Sequence, residues 1–194
     1  IAGLQLASLS LQKVTDQQAW LDDLSGEYKD IADFLADEVL RYQDEQVRHF
    51  LLQSSILNRL NRELCSAVTT IAKDCNVLFE QIINSHLFIF SLDEKGDWFR
   101  FHHLFADFLE RRLRETQEHL VPELHKRASN WFEQQGLYLE AIHHALEAGD
   151  YHHASTMLQE ISEVLFAGGK IDTLEDFIAR IPTEVLREYP ILLL

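Results

Sequence analysis

Ten histidines occur in this chain of 194 residues, six of them as the doublets His102-His103, His143-His144 and His152-His153. Imidazole ligates metals and moves protons near neutral pH, so these are the first residues to test for chemistry. Adjacent side chains point in different directions on a helix or a strand, and a doublet therefore rarely gives one ion two ligands. Cys65 and Cys75 have no metal-ligand spacing, and Cys65 stands with Leu64 and Val68 in an apolar helical stretch, where a thiol packs as a small hydrophobe. The carboxylate pairs Asp22-Asp23 and Glu175-Asp176 read as solvated faces rather than as an acid–base pair. Gly168-Gly169-Lys170 resembles the tail of a phosphate-binding loop, but Ile171 follows where Ser or Thr is required, and the earlier glycine is missing. It reads as a helix stop. No Gly-x-Ser-x-Gly elbow and no His-Glu-x-x-His helix is present. These residues predict neither a catalytic centre nor a metal site.

The elements that hold them are mostly helical. Ile31, Leu35, Val39 and Tyr42 fall on one helical face, as do Phe105, Phe108, Leu109 and Leu113, and again Ala154, Leu158, Ile161 and Leu165. Gly136, Gly149 and Gly168-Gly169 each follow an apolar helical stretch, as C-terminal stops do. Asp172 with Glu175 has the spacing of a capping box, and Pro182 lies past the end of the helix it would start. Residues 87–92 and 98–102 read instead as two strands joined by the polar loop Asp93-Glu94-Lys95-Gly96-Asp97. Alternation puts Phe99 and Phe101 on one face, and Trp98, Arg100 and His102 on the other. Helices on both sides of a lone hairpin predict a winged-helix module over residues 28–121. Leu139, Ile142, Ala145 and Leu146, shifted by 32 positions, land on Ile171, Leu174, Phe177 and Ile178, a spacing near that of tetratricopeptide helix pairs. The fold class is therefore mainly α: a winged helix with one β-hairpin, then tetratricopeptide-like antiparallel helical repeats.

Composition narrows the function. With 46% hydrophobic residues the chain is globular, and 32 acidic against 17 basic side chains leave a net charge of −15. Two cysteines in this length fit a reducing, cytoplasmic location, and no apolar run is long enough to span a membrane. The helix ahead of the hairpin, roughly residues 76–85, would be the DNA-reading helix of a winged helix. It carries Glu80 and no Lys or Arg, leaving only Gln81 and Asn84 as readers, so direct nucleic-acid contact is not expected. Arg111, Arg112 and Arg114 are flanked by Glu110 and Glu115 and read as a solvated helix end. Both ends read as cut from a longer chain.

The string Phe99-Arg100-Phe101-His102-His103-Leu104-Phe105-Ala106-Asp107-Phe108-Leu109 resembles the winged-helix signature of the MalT-like regulators, large ATP-dependent LuxR-type transcription activators among the signal-transduction ATPases. Gly3-Leu4-Gln5-Leu6-Ala7 resembles the motif ending their ATPase-associated helical domain. Glu38-Val39-Leu40 followed by Phe50-Leu51-Leu52-Gln53-Ser54-Ser55-Ile56-Leu57 is similar to their entry into the winged helix. Glu140-Ala141-Ile142-His143-His144-Ala145-Leu146-Glu147-Ala148-Gly149-Asp150 resembles the first repeat of their superhelical sensor domain.

The resemblance implies that residues 1–27 end the helical domain, 28–121 form the winged helix and 122–194 begin the sensor. It implies no cofactor in this stretch itself, and ATP or ADP bound by an upstream ATPase domain of the same chain. It implies a small-molecule inducer or regulatory protein on the repeats, DNA contacted by a separate C-terminal reader, and self-association on activation. Phe101-His102-His103 aligns with the Met-His-Asp motif of related switches, which makes His102 the candidate ADP-phosphate contact, with departures at the first and third positions. Gln5 stands where related ATPases often place an adenine-packing proline, and reads as a packing residue here. The competing expectation is a helical interaction module without nucleotide dependence.

Overall fold

A computed structural model of the chain describes residues 33, 36–71, 74–85 and 88–193. The expected helical-domain end at residues 1–27, Gln5, Ile31 and Leu35 lie outside the described residues. Residues 36–41 are helical and bury Ala36, Val39 and Leu40. Helix α1 (Glu45–Ser54) starts where the Asp44 carboxylate accepts the Gln46 N–H, and it buries Val47, Phe50, Leu51 and Leu52. Helix α2 (Arg62–Val68) is capped by Asn61, whose side chain accepts from Leu64 N–H at 2.7 Å. Helix α3 (Cys75–Ser85) buries Leu78, Phe79 and Ile82.

Strands β1 (Ile89–Ser91) and β2 (Phe99–Phe101) then pair antiparallel, with Ile89 opposite Phe101 and Ser91 opposite Phe99. Leu60 extends this hairpin on its other edge: Leu60 N–H donates to Phe99 O at 2.7 Å and Phe99 N–H to Leu60 O at 2.8 Å. Helix α4 (His103–Gln117) buries Phe105, Phe108, Leu109 and Leu113, as its periodicity predicts. Phe79 lies edge-on to both Phe50 and Phe99, at 6.3 and 5.5 Å, so an aromatic seam ties α1, α3 and the hairpin together. This is a winged helix.

A single 3₁₀ turn (Glu118–Leu120) leads into five further helices: α5 (Val121–Gln134), α6 (Tyr138–Glu147), α7 (Tyr151–Ala167), α8 (Ile171–Ala179) and α9 (Thr183–Leu186). Helix α5 packs on α2 of the winged helix and on α6, and α7 packs on α6 and α8. Gly136, Gly149 and Gly169, at φ between 70° and 73°, make the left-handed stops that the sequence predicts.

Four expectations need correction. Tyr42 is 77% exposed, because the helix ends at residue 41 before its side chain reaches the buried face. Both strands are shorter than expected. Phe88 takes a positive φ just before β1, and beyond it the Asp93 carboxylate gathers the Asp97 and Trp98 N–H groups, each at 2.9 Å, into a turn. Asp172 does not cap α8. Lys170 N–H donates back to Leu165 O across the Gly168-Gly169 stop, and the next helix starts at once at Ile171. Ile171, expected on the repeated apolar face, is 42% exposed, while Leu174, Phe177 and Ile178 pack partly buried on the core.

Candidate functional site

His102 is the hinge between β2 and α4. Its N–H donates to Phe88 O at 2.7 Å, continuing the strand pairing, and its carbonyl accepts from Ala106 N–H at 2.9 Å, opening the helix. The imidazole does not cap α4, so the first amides of the helix have no side-chain partner from this position. Instead the ring stacks on His103, with centroids 4.6 Å apart, and lies 5.9 Å from Phe90. Its Nε2 is buried without a hydrogen-bond partner among the described residues. Burial first, and then the neighbouring His103 and Arg100, push its pKa down to about 4, so the ring is neutral at physiological pH. Phe99 and Phe101 face the core, Arg100 is exposed, and Trp98 and His102 are half-buried, in line with the predicted alternation.

The other sequence candidates are dispersed. Cys65 and Cys75 are free and buried, and burial raises the pKa of both thiols, as suits packing residues. Among the described residues no cluster of His, Cys, Asp and Glu could hold a metal ion. Arg111, Arg112 and Arg114 pair with Asp33, Glu115 and Glu110. On α3, Glu80 is paired with Arg62. Among the described residues no helix is long and apolar enough to cross a membrane.

Two arrangements were not foreseen. His125 on α5 and His144 on α6 are 3% and 2% exposed and meet through their Nδ1 atoms at 2.9 Å, with the His144 ring stacked flat on Phe132. Their apolar surroundings signal them in retrospect. His125 sits four residues after Val121 and three before Ala128 on the buried stripe of α5, where a helical plot would mark it as interior. The second is Arg59, whose guanidinium lies 4.3 Å over the Trp98 ring and 5.9 Å from Phe132 while it pairs with Glu140 of α6. One side chain thus links the loop before α2, the wing and the first helix pair beyond it.

Comparison with known proteins adds a decisive observation. Residues 36–121 match the family of the MalT winged helix domain. The match spans α1 through α4 and the hairpin, the same stretch in which these four helices, two strands and the His102 hinge were found. The chain is also similar to the serine/threonine-protein kinase PknK of Mycobacterium tuberculosis and of Mycobacterium bovis, at 37% identity over 185 residues in each case. That similarity covers 95% of this chain and only 17% of the kinase. The chain therefore spans about one-sixth of the length of these curated relatives.

Proposed function

We propose that the chain is the regulatory middle of a nucleotide-controlled, inducer-responsive transcription regulator of the MalT-like type. In this reading the winged helix closes over ADP held by an upstream ATPase domain, and the helices from α5 onward begin a tetratricopeptide-like sensor for a small inducer or a regulatory protein. The stretch itself is not an enzyme and carries no cofactor of its own. ATP or ADP belongs to the full-length, cytoplasmic protein, where DNA is read elsewhere and self-association accompanies activation. The kinase activity named for the mycobacterial relatives is not carried over.

The observation that carries the reading is His102 at the β2–α4 hinge. A buried imidazole nitrogen without a partner is a group that a bound acceptor would satisfy. Arg100 nearby brings positive potential, and the α4 N-terminus adds uncapped amide N–H groups and the positive end of the helix dipole. These residues suit a phosphate. Because Nε2 has no exposed surface, the ring or its cover must shift for any outside group to reach it, which ties occupancy to a change in the wing.

Calorimetry of the full-length protein, with and without His102→Ala, tests this. Loss of one charge-assisted hydrogen bond should weaken ADP binding about tenfold or more. Unchanged ADP affinity overturns the contact. It would favour the second reading, an interaction module without nucleotide dependence, which the exposed apolar side chains Val164, Phe166 and Ile171 at the α7–α8 corner support.

A further inference from the structure

A groove of about 520 Å³ runs between the wing and helices α5 and α6. Asn58 and Arg59 line it from the loop before α2, Leu92 and Arg100 from the hairpin, and Leu139, Glu140 and His143 from the helices. Its size falls within the range of small-molecule sites, and junctions between structural units are where such sites concentrate. The chemistry of the lining is unusual for this molecule. The chain carries a net charge of −15, and eight of its eleven arginines pair with a carboxylate: Arg41, Arg59, Arg62, Arg111, Arg112, Arg114, Arg127 and Arg180. Arg100 has no acidic partner among the described residues and stands exposed at the groove edge.

Arg59 brings a second cation in a fixed pose. Trp98 holds its guanidinium plane at 4.3 Å, and only Nη2 is engaged, by Glu140, so other N–H groups of the fork remain open among the described residues. Leu92 and Leu139 supply apolar walls beside these two cations. Asn58 adds a neutral amide that can donate or accept.

We propose that this groove binds a small anion carrying an apolar body, a phosphate ester or carboxylate, with Arg100 and Arg59 on the anionic group and Leu92 and Leu139 against the body. A ligand here touches the wing, the loop before α2 and the first helix pair together. It competes with Glu140 for Arg59, so its arrival alters the link between wing and helices. His102 does not line the groove, and its ligand goes beyond the nucleotide reading, although Arg100 lies near both.

The test is titration of the protein with phenyl phosphate, benzoate and inorganic phosphate, followed by calorimetry. Phenyl phosphate should bind saturably with a dissociation constant on the order of 1 mM or tighter, as befits a fragment of its size. Inorganic phosphate should bind more weakly, because it lacks the apolar body. Benzoate in place of the ester separates a carboxylate site from a phosphate site, and saturable binding of either supports the proposal. Arg100→Ala removes an exposed side chain that holds no packing, and should weaken binding about tenfold or more. Arg187→Ala, which removes another exposed arginine without an acidic partner among the described residues, should leave it unchanged. Failure of both aromatic anions to saturate overturns the proposal, as does equal affinity in Arg100→Ala and the unaltered protein. ADP affinity of the full-length protein that still depends on His102 when neither aromatic anion saturates would leave the nucleotide reading intact while this site fails.

Discussion

His125 and His144 present Nδ1 to Nδ1 at 2.9 Å, so one ring donates and the other accepts. His125 Nε2 is buried without a partner. A bare lone pair there costs less than a stranded N–H, which assigns the Nδ1–H donor to His125 and the acceptor to His144. Burial is the main cause that holds both rings neutral, lowering His125 to about 4 and His144 to about 3 from 6.5. Around His125, Glu147 and Glu110 oppose that shift, whereas His143 and Arg114 reinforce it. The unfolded chain therefore takes up these protons first. Stability is fully present above about pH 6.5 and is lost as the pH falls through about 4. His102, also lowered to about 4, and His143, lowered as well, act in the same direction. Replacing His125 alone with Leu strands the polar edge of His144 and should cost about 1–3 kcal/mol near neutral pH. The His125→Leu, His144→Leu double variant should cost less than the two single changes summed, and its stability should fall less steeply with acid. Urea midpoints at about pH 7 and about pH 5 measure both quantities. An unchanged acid slope in the double variant would place the sensitivity in other groups.

Helix α2 is seven residues long, too short to persist without its cap and its packing on α5. Asn61 accepts the Leu64 N–H, and the neighbouring Leu60 is stitched to Phe99 of the wing, so the cap also fixes where the third edge of the hairpin begins. Asn61→Ala should destabilise the protein by about 1 kcal/mol, while Asn61→Ser should restore most of that, as a shift in the denaturant midpoint would show. At this scale most of the architecture was legible. The apolar runs around Asp93–Asp97 announce a hairpin because a polar loop with Gly96 can only turn, and the φ of 69° at Gly96 is the turn in question. Glycine stops end α5, α6 and α7 because a left-handed residue costs glycine nothing. What escaped was set by tertiary contacts. Asp172 and Glu175 have capping-box spacing, yet the double-glycine stop delivers the chain directly into α8 and leaves no extended residue for a cap to occupy. His102, expected as the last residue of the second strand, lies one residue past β2 and opens α4. Its orphaned nitrogen depends on what folds over it, which no local spacing records. The same holds for Arg59, whose partners Trp98, Phe132 and Glu140 are distant in sequence.

The winged helix and the helices after it share one continuous core, running from Ala36 through Leu109, Leu124 and Ile142 to Leu192. Helix α5 touches α2 directly, Trp98 of the wing lies edge-on to Trp131 at 6.3 Å, and Arg59 is held between Trp98, Phe132 and Glu140. A wing built this way does not move by itself. Any displacement of the wing drags on α5 and α6, and rearrangement of those helices reaches β2 by the same contacts. Phe132 is the side chain on which this depends most: it is 2% exposed, stacks on His144 and touches the Trp98–Trp131 pair through Trp131. Phe132→Ala should cost about 3–5 kcal/mol, the range for a large buried aromatic. Because the core is shared, tryptophan fluorescence of a Trp20→Phe background, which reads Trp98 and Trp131 at the junction, and far-UV circular dichroism, which reads the helices, should give coincident unfolding curves. Both curves should shift together in Phe132→Ala. If the variant instead splits the transition, leaving the wing folded while α5 to α9 unfold first, the two units are energetically independent. The coupling that a sensor would need to reach the wing would then have to run through contacts other than this junction.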